Sequence, residues 1–196
     1  MNFLAHAYLS FGHPQVLLGN MISDFVKGKT QYSYPVQIQA GIRLHRSIDS
    51  FTDDHSSTKK AKEVFRPYYR LYSGALMDII YDHFLATDKS IFEGNDLLDF
   101  STNVYNTLDQ QSFCLPQRFV ALLPYMKKEN WLLNYAKMEG IERSLQGLIR
   151  RSAYLTDHKT AFHLLNTHYS LLQDCYGGFI EDVKTYSKKR FEQLVL

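Results

Sequence analysis

Apolar residues recur at intervals of three and four along nearly the whole chain, the spacing of helices with one face turned inward. Strand-like alternation is scarce. A short helix is expected over about 2–10, broken by Gly12. Pro14 suits the first turn of a second helix, about 14–27, which Gly28 closes. Pro35 opens a third, about 35–54. Ser57 can cap a fourth that begins near Thr58, and Pro67 should end or kink it. Ser73 can cap a fifth, about 74–87, and Asn95 or Asp96 a sixth, about 96–111. Helices near 117–126, 128–137 and 139–152 follow. A last long one, about 157–193, is expected to bend at Gly177–Gly178. The chain reads as all-α, a single-domain bundle of roughly eight to ten helices over residues 1–196.

Three of the early helices carry polar residues on the wrong face. At about 100° per residue, Ile38, Ile42, Leu44, Ile48 and Phe51 of the third helix form one arc, with Arg43, Ser47, Ser50 and Asp54 opposite. His45 and Asp49 fall inside the apolar arc, one turn apart, so they stack on one stripe. The fifth helix, ALMDIIYDHFLA, is apolar nearly all round and should be buried, yet it holds Asp78 and Asp82 one turn apart, with His83 beside them. Asp24 is expected on the stripe of Leu17 and Met21 in the second helix, with Asn20 one turn earlier. His6 sits amid Phe3, Leu4 and Leu9.

One buried surface could thus receive Asp24, Asp49, Asp78, Asp82, His45, His6 and His83. Each uncompensated buried carboxylate costs several kcal/mol, and neighbouring ones repel until they bind protons. Arginine partners or a metal ion would answer this. The stripes hold no Lys or Arg; Arg46 is nearest, within reach of Asp49 or Asp53. Imidazole nitrogen with carboxylate oxygen, and no thiolate, suits Mn2+, Fe2+ or Zn2+, and such a site with open positions activates water and neutralises phosphate oxygens. A single polar residue on an apolar arc is more often a satisfied core group. Two helices that each carry a pair at one-turn spacing are harder to explain that way.

Composition narrows the field. At 45% apolar and 21% charged, the 196 residues are ordinary for a globular chain. A net charge of +2 is too small for a generic nucleic-acid binder. The first ten residues lack the basic region and long apolar core of a secretion signal, and no run of about 18 apolar residues exists to span a membrane. Two cysteines far apart exclude a disulfide framework and fit a reducing, cytoplasmic setting. Charge is uneven: residues 1–75 carry nine Lys/Arg against five Asp/Glu, and residues 76–142 carry five against ten. The basic part can be an ordinary solvated surface, or an approach surface for an acidic partner.

Other signals are weaker. His163 and His168 read as helix-surface histidines. The GGF at 177–179 lacks the pattern of a phosphate loop. Cys175 has no evident base partner, and the aromatic groups around Tyr68, Tyr125 and Trp131 read as helix contacts.

MNFLAHAYLS at the start, then LLGNMISDFVKG (17–28), GIRLHRSIDSFTD (41–53) and MDIIYDHFL (77–85), resemble in order and spacing the bacterial acyl carrier protein phosphodiesterases. QRF at 117–119 and NWL at 130–132 are further landmarks. The match is strongest over residues 1–85. The resemblance implies an all-α, HD-like metal phosphohydrolase fold. It also implies release of 4′-phosphopantetheine from holo-acyl carrier protein, with Mn2+ as the usual cofactor; Mg2+, Fe2+ or Zn2+ are the alternatives that the donor types leave open. The matching positions are Asp24, His45, Asp49, Asp78, Asp82 and His83. Asp82-His83 reverses the His-Asp order of HD enzymes, so their ligand set does not carry over.

With the buried stripe, this gives concrete expectations. Asp24, His45, Asp49, Asp82 and His83 are candidate metal ligands, with Asp82 first. Asp78 or His6 would orient or deprotonate a water, and Arg46 would neutralise phosphate. Lys27, Arg43, Lys59 and Arg66 would steer the acidic carrier protein, with neither nucleic acid nor membrane as partner. A small phosphate ester as substrate, or a non-enzymatic helical binding protein, is the alternative.

Overall fold

A computed structural model describes residues 1–94, 96–152, 154–155 and 157–195. Eleven α-helices are present among the described residues, and no strand. They are α1 (Phe3–Tyr8), α2 (Pro14–Ile22), α3 (Val36–Asp54), α4 (Ser56–Tyr69), α5 (Ser73–Thr87), α6 (Asp96–Gln110), α7 (Gln117–Lys128), α8 (Trp131–Asn134), α9 (Met138–Arg151), α10 (Lys159–Thr167) and α11 (Tyr169–Val195). The all-α expectation holds, and the proline and glycine signals place most boundaries to within a few residues.

Several local expectations about helix ends and caps fail for identifiable reasons. The second helix stops at Ile22, and a 3-10 turn, Ser23–Phe25, carries the chain away from its axis. The fourth helix is capped not by Ser57 but by His55, whose ring accepts from the Ser57 N–H. It also runs through Pro67 and stops only at Arg70, which has φ of +46°. Ser73 opens α5 without capping it, its hydroxyl donating back to the Arg70 carbonyl. The expected last helix is divided at His168 into α10 and α11, and α11 runs unbroken through Gly177–Gly178. Asn95 lies outside the described residues, while Asp96 accepts from the Glu93 N–H just ahead of α6.

One apolar core runs through α1 to α11. Its most extensive helix contact joins α2 to α3, and glycine makes that contact possible. A Cβ on Gly19 would stand 2.0 Å from the Ile38 carbonyl oxygen, and one on Gly41 2.2 Å from that of Val16. Neither neighbour is a side chain that could swing away. Both glycines sit inside helices, where they weaken local propensity, so their value is close backbone approach. Phe119 of α7, fully buried, takes the ring edges of Phe3 at 6.5 Å and Phe25 at 5.3 Å. It thereby holds α1 and the 3-10 turn at Ser23–Phe25 against one wall.

Gly41→Ala should cost about 3 kcal/mol, the upper part of the range for overpacked cores, lowering Tm by roughly 6–12 °C. Gly177→Ala meets nothing within 4 Å and should leave Tm unchanged or raise it. Calorimetry of the two variants checks the pair.

Candidate metal centre

The close α2–α3 contact fixes the first donor. His45 Nδ1 donates to the Asn20 carbonyl at 2.8 Å, which sets the ring's tautomer and aims Nε2 outward. Nε2 then faces Asp24 Oδ1 at 3.2 Å and Asp49 Oδ2 at 3.1 Å. The Asn20 side chain, itself fully buried, donates to the His6 carbonyl at 2.8 Å and to Ser10 Oγ at 3.1 Å, tying α1 to α2. His6 stacks on His45 with ring centroids 3.8 Å apart, and its Nε2 lies 3.1 Å from Asp49 Oδ1. His6 Nε2, His45 Nε2 and an Asp49 oxygen all lie within 4.8 Å of one another, near enough to share one ion.

Two charged ends complete the surroundings. The Met1 ammonium, fully buried, binds Asp78 Oδ1 at 2.7 Å and Asp49 Oδ1 at 3.4 Å. Arg46, the expected partner for Asp49, turns away: it donates to Gln31 Oε1 at 2.9 Å and to the Val26 carbonyl at 3.3 Å, bracing the segment behind Asp24. One cation on this surface is therefore the Met1 ammonium, a group the helical wheels do not display. Burial alone would lower the Met1 amine, but Asp78 and Asp49 outweigh it and hold it at about 10.

The two imidazoles diverge. Burial pulls His45 down, yet hydrogen bonds to Asp24 and Asp49 raise it to about 9. Burial, helped by the His45 charge, lowers His6 to about 4. Burial disfavours the Asp49 carboxylate, but both imidazoles hold it ionised far below the usual range.

The remaining expected residues are placed elsewhere. Asp24 is not on a buried stripe: its side chain is 74% exposed, and it reaches His45 from the solvent side because α2 ends before it. Asp82 is fully buried and spends both oxygens on α1, accepting from the N–H groups of Asn2 at 3.1 Å, Leu4 at 2.7 Å and Ala5 at 3.3 Å. Burial raises it to about 7 against the pull of Met1 and those N–H groups. His83 bridges the Tyr135 carbonyl at 2.8 Å and the Tyr169 hydroxyl at 2.9 Å, joining α5 to α11. Asp82 and His83 thus stand outside the converging group and hold the helices that carry it. Lys27 and Arg43 are exposed, whereas Lys59 pairs with Asp54 at 3.5 Å and Arg66 with Glu63 at 2.5 Å.

Two imidazole nitrogens and a carboxylate, one ring fixed by a carbonyl behind it, form a donor set that fits a borderline divalent cation. The observation that carries the fit is His45 Nε2, which faces two carboxylate oxygens and must carry either a proton or an ion.

Such a helical domain brings imidazoles and carboxylates from separate segments to one point, where they could share an ion. A family profile described as acyl carrier protein phosphodiesterase matches residues 1–183, and the chain belongs to that family. It is 36% identical to an acyl carrier protein phosphodiesterase of Yersinia pestis over 180 residues, 91% of this chain and 93% of the relative. It is 33% identical to one of Enterobacter sp. (strain 638) over 191 residues, 97% of this chain and 99% of the relative. No solved structure matches the chain.

An ion bound here must displace the His45 proton, because a ligating imidazole is neutral. Affinity for a divalent cation should therefore rise about tenfold per pH unit from pH 6.5 towards the His45 value of about 9. Calorimetric titration in buffers of different ionisation enthalpy should show about one proton released per ion. His45→Ala should abolish both binding and release.

Proposed function

We propose that this protein hydrolyses the phosphodiester joining 4′-phosphopantetheine to a serine of acyl carrier protein, leaving apo-acyl carrier protein, and that it does so in the cytoplasm with Mn2+. The observation that carries the reading is the convergence of His6, His45 and Asp49 within 4.8 Å in a chain of this family. His6 Nε2, His45 Nε2 and Asp49 would hold the ion, with Asp24 beside it on the exposed side. Such an ion lowers the pKa of a water and neutralises phosphate oxygens.

The protein's own groups do the rest. Asp49, braced by both imidazoles, keeps a fixed negative charge. Asp78 spends Oδ1 on the Met1 ammonium and has Oδ2 to accept a proton as water attacks phosphorus and the serine oxygen leaves. Asp82 positions the cluster through the three N–H groups of α1 and touches no substrate. Lys27, Arg43 and Arg46, all exposed, would meet the acidic carrier protein, with Lys59 and Arg66 on α4.

Two unpaired cysteines, Cys114 and Cys175, agree with a reducing setting, and no described helix is long and apolar enough to cross a membrane.

With holo-acyl carrier protein and Mn2+, the protein should release 4′-phosphopantetheine. His45→Ala and Asp49→Ala should each lower kcat/KM by more than about 100-fold, the upper loss for a residue merely supporting a ligand. Mass spectrometry of the carrier protein reads the conversion. Turnover of small phosphate esters with none of holo-acyl carrier protein would replace this substrate with a small one. No hydrolysis with Mn2+, Mg2+, Fe2+ or Zn2+ would overturn the reading.

A further inference from the structure

A cavity of about 620 Å³ opens among α7, α8 and α9 and extends to Asn2 and Phe3 on one side and Ile79 on another. Asn2 follows Met1, and Ile79 follows Asp78, the pair joined at 2.7 Å beside the imidazoles. The cavity lining thus comes within one residue of Met1 and of Asp78 along the chain.

The α9 face that lines the cavity is chemically unusual. Ile141, Leu145 and Ile149 already supply this helix's buried contacts. At helical spacing beside them, Arg143, Gly147, Arg150 and Arg151 face the cavity. A Cβ on Gly147 would meet only Arg151 Nη1, at 3.5 Å, so no backbone contact demands glycine there and its effect is open space. None of the three guanidiniums joins an ion pair among the described residues. The acid on the lining, Glu129, accepts from Trp131 Nε1 at 3.2 Å. Trp131 and Tyr125 supply aromatic faces. The buried Tyr135 hydroxyl, raised well above the usual phenol range by burial, is further raised by Asp82 and eased by Arg151. Arg151 and the acids of α5 thus lie within electrostatic reach of one group.

Guanidiniums outside any ion pair among the described residues, aromatic faces and side-chain amides around one cavity suit a linear ligand with a phosphate end, an apolar stretch and amide links. We propose that this cavity binds the phosphopantetheine chain of the substrate, with Arg150 and Arg151 carrying the phosphate charge and Trp131 and Tyr125 covering the dimethyl-bearing stretch. This rests on the hydrolysis reading above and adds the place where the chain lies. Asn2 and Asn134 meet its amide groups.

The test measures binding of free 4′-phosphopantetheine and of pantetheine to the full chain by calorimetry. Wild type should bind the phosphorylated compound at least tenfold more tightly. Gly147→Leu fills the space and favours the helix, so its Tm should not fall. It should weaken both ligands at least tenfold and raise KM for holo-acyl carrier protein. Arg150→Ala with Arg151→Ala should erase only the phosphate-dependent difference, and it carries the test should Gly147→Leu fail to fold. Gly177→Leu, on open surface of α11, is the control and should bind as wild type. Wild-type binding by the Gly147 and double arginine variants, or no binding by wild type, would overturn the cavity assignment while leaving hydrolysis standing. Cavity-dependent binding without hydrolysis of holo-acyl carrier protein would instead overturn the function and keep the site.

Discussion

The backbone contact between Gly19 and Gly41 is the constraint on which the site depends. It brings α2 and α3 closer than any side chain would allow. At that separation the Asn20 carbonyl reaches His45 Nδ1, which fixes which nitrogen of the ring faces the acids. The same residue's side chain then reaches across to α1 through the His6 carbonyl. One residue thus sets one imidazole by its main chain and the carrier of the other by its side chain. Widening the helix pair by a methyl group would loosen both, so a stability defect at Gly19 or Gly41 is also a defect in the cluster.

The first segment is held by a buried carboxylate rather than by its own propensity. α1 has six residues, too few to persist alone. Asp82, at the centre of α5, takes up three N–H groups at its start, and a negative charge there also suits the helix dipole. This accounts for an acid in a helix that is apolar nearly all round. Its stabilisation of α1 is bought with desolvation, as the rise to about 7 records.

Much of this was legible in the sequence. The periodicity gave the helices, and polar residues on apolar arcs pointed to His45, Asp49 and His6, which do meet. Wheels cannot say where an inward residue ends up along the helix axis, nor what stands opposite it. Asp82 and Asp78 share a stripe one turn apart, yet one caps α1 and the other binds Met1. Asp24 was misplaced because the wheel assumed a helix that stops at Ile22. The terminal ammonium has no place on a wheel at all. The glycine pair was visible as GN in LLGN and as GI in GIRLH, but glycine inside a helix signals weakness until a partner backbone is known.

The charges around the cluster explain why it suits exchange of a proton for an ion. Asp24, Asp49 and Asp78 face the His45 imidazole and the Met1 ammonium. A dication that displaced the His45 proton would add positive charge where these carboxylates gather. An arginine in the same place would also have cancelled the repulsion, but permanently, since its guanidinium keeps its proton throughout the working range. Turning Arg46 outward to brace residues 26–31 leaves the balance to a group that can give way. The same choice would tie occupancy to pH, because a proton and an ion would compete for one nitrogen whose other side is pinned to Asn20.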